Sequence, residues 1–189
     1  MKVISGILKG RVIDGYNIDG TRPTMDRVKE SIFGMLGNNV SDSIVLDLFA
    51  GSGNYGIEAI SLNAKLVYFN DINIKCIKII KKNLEKFNIL DKSIISNMDY
   101  LKCLNYLKKN NLKFDLVFLD PPYKLDCLND ILIYLEKNNL LNINSYVIVE
   151  LTNDNLKDQY NNLIKYKTRT YGEKIVYIYK YIGDKDEIK

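Results

Sequence analysis

Residues 44 to 56 read Ile-Val-Leu-Asp-Leu-Phe-Ala-Gly-Ser-Gly-Asn-Tyr-Gly. Ile44 to Leu48 is a short apolar run, β-branched at its start, and suits a strand buried on both faces. It breaks into Gly51, Gly53 and Gly56, and Ile57 to Leu62 resumes as a helix. Glycines let the chain turn sharply and let a ligand approach the backbone. Strand, glycine turn and helix in that order form the opening unit of an open α/β sheet. Such a sheet binds its ligand beyond the carboxyl end of the strand, under the amides that open the helix.

The rest of the chain agrees with that architecture. Strands are expected at 66–69, 92–97, 114–119 and 145–151, with helices at 73–87, 100–110 and 125–137 between them. A short helix is expected after the strand that ends at Leu151. Two strands, 164–171 and 174–181, then meet at the turn signal Gly172-Glu173. The order predicts an α/β, Rossmann-like fold: a mostly parallel, seven-stranded sheet closed by a C-terminal antiparallel hairpin. Ahead of it, Lys2 to Ile13 reads as two short strands turning at Lys9-Gly10, and a helix follows with Thr24 as its cap. The expected organisation is an N-terminal hairpin and helix extension at 1–40, a core at 41–182 and a charged, frayed tail at 183–189.

Composition narrows the chemistry. The 189 residues suggest one domain, and a net charge of +4 permits a nucleic-acid partner without requiring one. There is no histidine. A Ser-His-Asp triad, a Cys-His pair and a His-based zinc site are therefore excluded. Cys76, Cys103 and Cys127 are far apart and form no C-x-x-C pair, so each is expected to be a small apolar filler, with no metal bound. No disulfide pattern, no signal-peptide core and no run of roughly 18 apolar residues is present, so a reducing, cytoplasmic setting without a membrane is expected.

Four acids mark the strand ends: Asp47, Asp71, Asp99 and Asp120. Core packing does not explain one acid at each of four successive strand ends. Helix capping competes most strongly at Asp99. The glycines also satisfy G-x-G-x-x-G, with Asp71 about 20 residues on, as in a dinucleotide-binding unit. Asp47 argues against that use. A buried carboxylate there repels a pyrophosphate and suits a ligand carrying a cation, such as the amino group of S-adenosylmethionine.

Asp120-Pro121-Pro122-Tyr123 carries the sharpest signal. Two prolines fix two φ angles and remove two backbone donors. The Asp120 carboxylate and the Pro121 carbonyl remain as acceptors, which recognise an amine. Tyr123 adds a ring that can stack on a base. Acceptors for an –NH₂ beside a stacking face describe a pocket for the exocyclic amine of a flipped or unpaired nucleobase.

On these residues the chain resembles a class I S-adenosylmethionine-dependent methyltransferase with the D/N-P-P-Y motif of amino-group methylases. It resembles the bacterial small-subunit ribosomal RNA guanine-N2 methyltransferases more closely, over nearly its whole length. The matching strings are Val-Ile-Ser-Gly at 3–6 with Lys9-Gly10-Arg11, Arg-Pro-Thr-Met-Asp-Arg-Val-Lys-Glu at 22–30, and Leu-Asp-Leu-Phe-Ala-Gly-Ser-Gly at 46–53. Phe-Leu-Asp-Pro-Pro-Tyr at 118–123 and Tyr-Gly-Glu at 171–173 complete them. Asp71 stands where the family more often has Glu, and Asn54-Tyr55 replaces a small or apolar pair. The resemblance implies methyl transfer from S-adenosylmethionine to the N2 amine of a guanine in 16S ribosomal RNA, within a small-subunit particle. It implies that Asp47 binds the methionine end of the donor, that Gly51 and Gly53 let the backbone approach it, and that Phe49 and Ile72 also border the donor. Asp71 would accept from its ribose hydroxyls, and Asp99 from its adenine amine, with Met98 beside it. Asp120, Pro121, Pro122 and Tyr123 would hold the target base. Lys9, Arg11, Arg22, Thr24 and Arg27 would border RNA or donor.

An adenine-N6 methyltransferase acting on DNA or RNA uses the same Asp-Pro-Pro-Tyr chemistry, although 189 residues leave little room for a separate target-recognition segment. More distant readings are a dehydrogenase of similar fold and a nucleic-acid-binding module on an inactive methylase fold. With no histidine, and free Asp titrating near 3.9, no change of charge is expected near Asp120 between about pH 6.5 and 9.

Overall fold

The computed structural model describes residues 1–15, 22–122, 125–153 and 155–183, with residues 22–25 as backbone only. Within it the chain divides into two units, Met1–Tyr100 and Leu101–Lys189.

In the first unit, β1 (Ile44–Asp47), β2 (Leu66–Asn70) and β3 (Ser93–Ser96) run parallel in the order β3-β2-β1. Its helices are α1 (Arg22–Leu36), α2 (Asn54–Ser61) and α3 (Ile74–Phe87). The apolar run at 44–48 is a strand because both its faces are covered: Val45, Leu46 and Leu48 are fully buried. Sequence signals also place the ends of α3. Asn73 caps it by accepting from the Lys75 N–H at 3.0 Å, and Asn88 ends it in the left-handed region at φ 56°. Cys76, Ile80, Leu84 and Phe87 form its buried stripe. Helix α1 starts at Arg22, so Thr24 lies inside it rather than at its cap.

The N-terminal segment is not a pair of strands. Only one antiparallel bridge forms, between Lys2 and Val12, and a 3-10 turn occupies Gly6–Leu8. The ladder stops because the Arg11 N–H, which would return the bond of the Val3 N–H, turns back to the Leu8 carbonyl at 3.0 Å. The Ile4 and Ser5 N–H groups donate to the Glu58 carboxylate at 2.7–3.0 Å, and the Leu8 N–H donates to Ser61 Oγ. Lys29, fully buried, donates to the Lys2 carbonyl and to Asn54 Oδ1, and pairs with Glu58 at 2.9 Å. The segment is thereby fastened to α1 and α2.

In the second unit, Phe114–Leu119 (β4) and Leu141–Leu151 (β5) run parallel. Gln159–Tyr160 (β6), Leu163–Tyr171 (β7) and Lys174–Tyr181 (β8) are antiparallel, giving the order β4-β5-β8-β7-β6. The hairpin turns at Gly172, at φ 60°, where the sequence expected it. Helices α4 (Tyr100–Lys109) and α5 (Leu128–Lys137) also match, although α5 starts three residues later than expected. The short helix expected after β5 is absent among the described residues, and the two-residue strand β6 follows instead. The backbone of Lys157 is taken by tyrosine hydroxyls: its N–H donates to Tyr160 Oη and its carbonyl accepts from Tyr179 Oη.

No described helix is long and apolar enough to cross a membrane. No group of three or more Cys, Asp or Glu among the described residues is placed to hold a metal ion. All three cysteines are buried, and burial, helped by Asp126 and Asp130, pushes the Cys127 thiol up to about 11.

Candidate active site

The first unit gathers its acids at the carboxyl ends of its strands. Asp47 closes β1 and is only 2% exposed. Gly56, in the first turn of α2, donates its N–H to Asp47 Oδ2 at 3.0 Å. Burial raises the Asp47 carboxyl from 3.8 to about 7; the Gly56 hydrogen bond opposes that rise and the nearby Asp71 charge adds to it. A free donor of the helix that an anionic ligand could use is thus taken by the protein's own carboxylate. That geometry disfavours a pyrophosphate and suits a cation.

The glycines divide their work. Gly51 and Gly53 have φ of 55° and 81°, which only glycine adopts readily. A Cβ on Gly51 would meet nothing within 4 Å, so its backbone faces open space. A Cβ on Gly56 would lie 2.2 Å from the Phe69 ring, so this third glycine serves packing of α2 on β2. Asp71, just beyond β2, accepts from the Gly51 N–H at 2.9 Å and from the Asn73 N–H at 2.8 Å. One acid therefore ties the glycine turn to the start of α3. Ile72 beside it is 70% exposed, a bare apolar side chain at the strand end. Phe49 packs against Tyr100, with ring centroids 5.7 Å apart.

Asn70, absent from the expected residues, is the hub of this half. It is 2% exposed. Its amide donates to the Leu48 carbonyl at 3.2 Å and the Met98 carbonyl at 3.1 Å, while its Oδ1 accepts from Ser96 Oγ at 2.7 Å and the Met98 N–H at 3.3 Å. The ends of β1, β2 and β3 are joined through this one side chain, which sets the backbone next to Asp99. Asn97 adds bonds to the Asp71 and Ile72 carbonyls. Asn83 on α3 joins the N-terminal segment to the glycine turn through Asp14 and Ser52. Asn70 ends an apolar strand just as Asp47 does, and an uncharged amide at a strand end is the signal that points to it.

In the second unit, Asp120 follows β4, then Pro121, buried, and Pro122, exposed. The Pro122 carbonyl accepts from the Leu125 N–H at 2.8 Å. A cavity of about 250 Å³ opens here, lined by Pro121, Pro122, Leu128, Glu150 and Asn153 among others. Pro121 and Pro122 bring no backbone donor to this cavity, and Thr152, Asn153 and Asn155 line it together with Glu150. Tyr123 lies outside the described residues, as do the side chains of Arg22 and Thr24. Lys9, Arg11 and Arg27 are exposed, and the Arg11 guanidinium lies 5.2 Å from the Phe87 ring centroid.

The donor set fits S-adenosylmethionine. Asp47 is a buried acceptor for a cation, a Cβ on Gly51 would meet nothing, Asp71 is an acid just beyond β2, and Ile72 offers an apolar face.

The family described as Conserved hypothetical protein 95 matches residues 1–180. The Ribosomal RNA small subunit methyltransferase D of Haemophilus influenzae is 36% identical over 158 residues, 82% of this chain and 80% of that protein. The solved structure of yhhF from Escherichia coli superposes with a TM-score of 0.85 at 27% identity, covering 97% of this chain and 99% of that one. An RNA methyltransferase of Salinibacter ruber, solved with S-adenosyl-L-homocysteine, shares the fold at a TM-score of 0.64 and 14% identity, covering 84% of this chain and 92% of that one.

Proposed function

The chain belongs to the Conserved hypothetical protein 95 family, together with the small-subunit ribosomal RNA methyltransferase D proteins, and from that premise we propose that it methylates the N2 amine of a guanine in 16S ribosomal RNA. The observation that supports the proposal is the cavity of about 250 Å³ that Pro121 and Pro122 line directly after Asp120 at the end of β4.

S-adenosylmethionine, when bound, supplies a methyl group on a positively charged sulfur. Asp47 holds the cationic methionine end of the donor, with Phe49 beside it, and Gly51 and Gly53 let the backbone approach. Asp71 accepts from the ribose hydroxyls, Ile72 and Met98 flank the adenine, and Asp99 accepts from its amine. The Asp120 carboxylate and the Pro121 carbonyl accept the two N–H bonds of the target amine. Two fixed acceptors turn the nitrogen lone pair in one direction, which is catalysis by position. Tyr123 stacks on the base, and Pro121-Pro122 add no backbone donors of their own beside it.

Calorimetry tests the cofactor half: S-adenosylmethionine should bind and NAD should not. Binding of NAD alone would sink the proposal.

One extruded nucleotide gives little discrimination, and a charge of +4 gives a modest, salt-screened hold on phosphate. The remaining selectivity comes from a structured target, a small-subunit particle, docked through the exposed Lys9 and Arg11. Deleting residues 1–13 would strip the partners of buried Lys29 and Glu58, so Lys9→Glu with Arg11→Glu is the cleaner variant. The native enzyme should methylate particles much faster than bare RNA, and the double variant should lose that preference. Equal rates on both substrates at matched salt would show that the enzyme reads sequence unaided.

A further inference from the structure

Glu150 is a buried acid without a part in the chemistry above. It is 6% exposed and lies one residue from the end of β5. Strands β4 and β5 pair in register, Phe118 with Ile148 and Leu119 with Val149. Asp120 follows Leu119 and Glu150 follows Val149, so the two acids stand at adjacent strand ends, one residue beyond the last paired positions. Glu150 also lines the cavity that Pro121 and Pro122 line.

Lys174 on β8 pairs with Glu150 Oε1. A structural ion pair is the plain explanation, and it is weak here. Six register pairs from Tyr146 to Leu151 already join β5 to β8. A buried ion pair seldom adds stability over well-packed apolar residues. A carboxylate has about four lone-pair sites and can accept from the protein and from a ligand together.

Two neighbouring acids on adjacent strands match one edge of guanine. That edge presents the 2-amino group and, next to it, the N1–H, both donors. Adenine presents its 6-amino group next to N1, a bare acceptor. We propose that Glu150 selects guanine, its carboxylate accepting the N1–H of the base whose 2-amino group Asp120 and the Pro121 carbonyl hold. The inference rests on the reading that this chain methylates an exocyclic amine of an RNA base. Against adenine, or any purine lacking the N1–H, the carboxylate meets a lone pair and loses its bond.

The test uses small-subunit particles in which the methylated guanine, once mapped, is replaced by 2-aminopurine. That base keeps the 2-amino group and has an acceptor at N1. The native enzyme should favour guanine by roughly 10- to 100-fold in kcat/KM, the worth of a charge-assisted hydrogen bond. Glu150→Gln can donate from its amide to the bare N1, so its preference should fall to about 3-fold or less. Lys174→Gln should keep the native preference, and all three proteins should bind S-adenosylmethionine alike. An unchanged preference in Glu150→Gln would overturn the inference alone. So would equal losses in Glu150→Gln and Lys174→Gln, or a Glu150→Gln protein that binds the donor yet is inactive on both bases. A native enzyme inactive on the guanine particle would overturn the functional reading, and this inference with it.

Discussion

Asp47→Asn separates the burden of a buried acid from its use. The Asp47 carboxyl is raised from 3.8 to about 7, chiefly by burial. In the unfolded chain it ionises near its ordinary value. Between about pH 4 and 7 the folded, donor-free protein therefore holds a proton that the unfolded chain has lost. Stability must fall as pH rises through that window and level off above it. The shift of about three pH units, at roughly 1.36 kcal/mol each, amounts to about 4 kcal/mol. In a chain of this size that corresponds to roughly 10 °C in Tm. Asparagine cannot ionise, and its carbonyl can still accept the Gly56 N–H. The Tm of Asp47→Asn minus that of the native protein should therefore grow by roughly 10 °C between pH 4.5 and pH 8. Other titrations cancel in that difference. Donor binding should move the other way, weakening by about 10- to 100-fold in the variant, because a charged acceptor for the ammonium is gone. Melting curves across pH and calorimetry with S-adenosylmethionine read both effects. A Tm difference that does not change with pH would refute the argument about burial. Unaltered donor affinity would remove Asp47 from the cofactor site.

Asp120→Asn should be milder than Asp120→Ala, since an amide carbonyl still accepts; losing one oriented acceptor costs on the order of 2–4 kcal/mol in the barrier. Equal losses in single-turnover assays, with donor binding intact, would instead make Asp120 an obligatory proton acceptor. Asp71→Ala should raise KM for the donor and leave kcat nearly intact, because ribose contacts are alike in ground and transition states; a large fall in kcat at saturating donor would sink that role. Gly6→Ala should destabilise the protein by about 3 kcal/mol or more, seen in denaturant melts. Its Cβ would lie 1.8 Å from the Ser61 carbonyl oxygen at a φ of +76°. A change below about 0.5 kcal/mol would mean the N-terminal segment is not seated on α2 as described. Native donor binding should weaken as pH falls below about 7, where Asp47 takes up its proton, while single-turnover chemistry on preformed complexes stays flat from pH 6.5 to 9; a steep rise of the chemical step in that range would point to another titrating group.

The alternation of strands and helices, the glycine turn and the acids at strand ends were legible in the chain because each is a local signal. An apolar run, a glycine with φ of 55° and an Asp after a strand all declare themselves within a few residues. What stayed hidden depends on partners distant in sequence. Lys2 to Ile13 reads as two strands, but the Arg11 N–H turns back to the Leu8 carbonyl, and Glu58, more than fifty residues on, takes the Ile4 and Ser5 donors. The segment after β5 reads as a helix, and tyrosines on β6 and β8 claim its backbone instead. An ordinary Asp gives no hint that burial at the end of β1 will bring its titration to about 7. The hub at Asn70 and the acid at Glu150 acquire meaning only once neighbouring strands are set side by side in register.

Mass spectrometry of nucleosides from small-subunit ribosomal RNA, in cells with and without this protein, tests the central claim most directly. N2-methylguanosine should fall by one residue per RNA when the protein is removed, and return with the native chain but not with Asp120→Ala. Unchanged N2-methylguanosine, or loss of N6-methyladenosine in its place, would contradict the assignment of guanine N2 as the site of methylation.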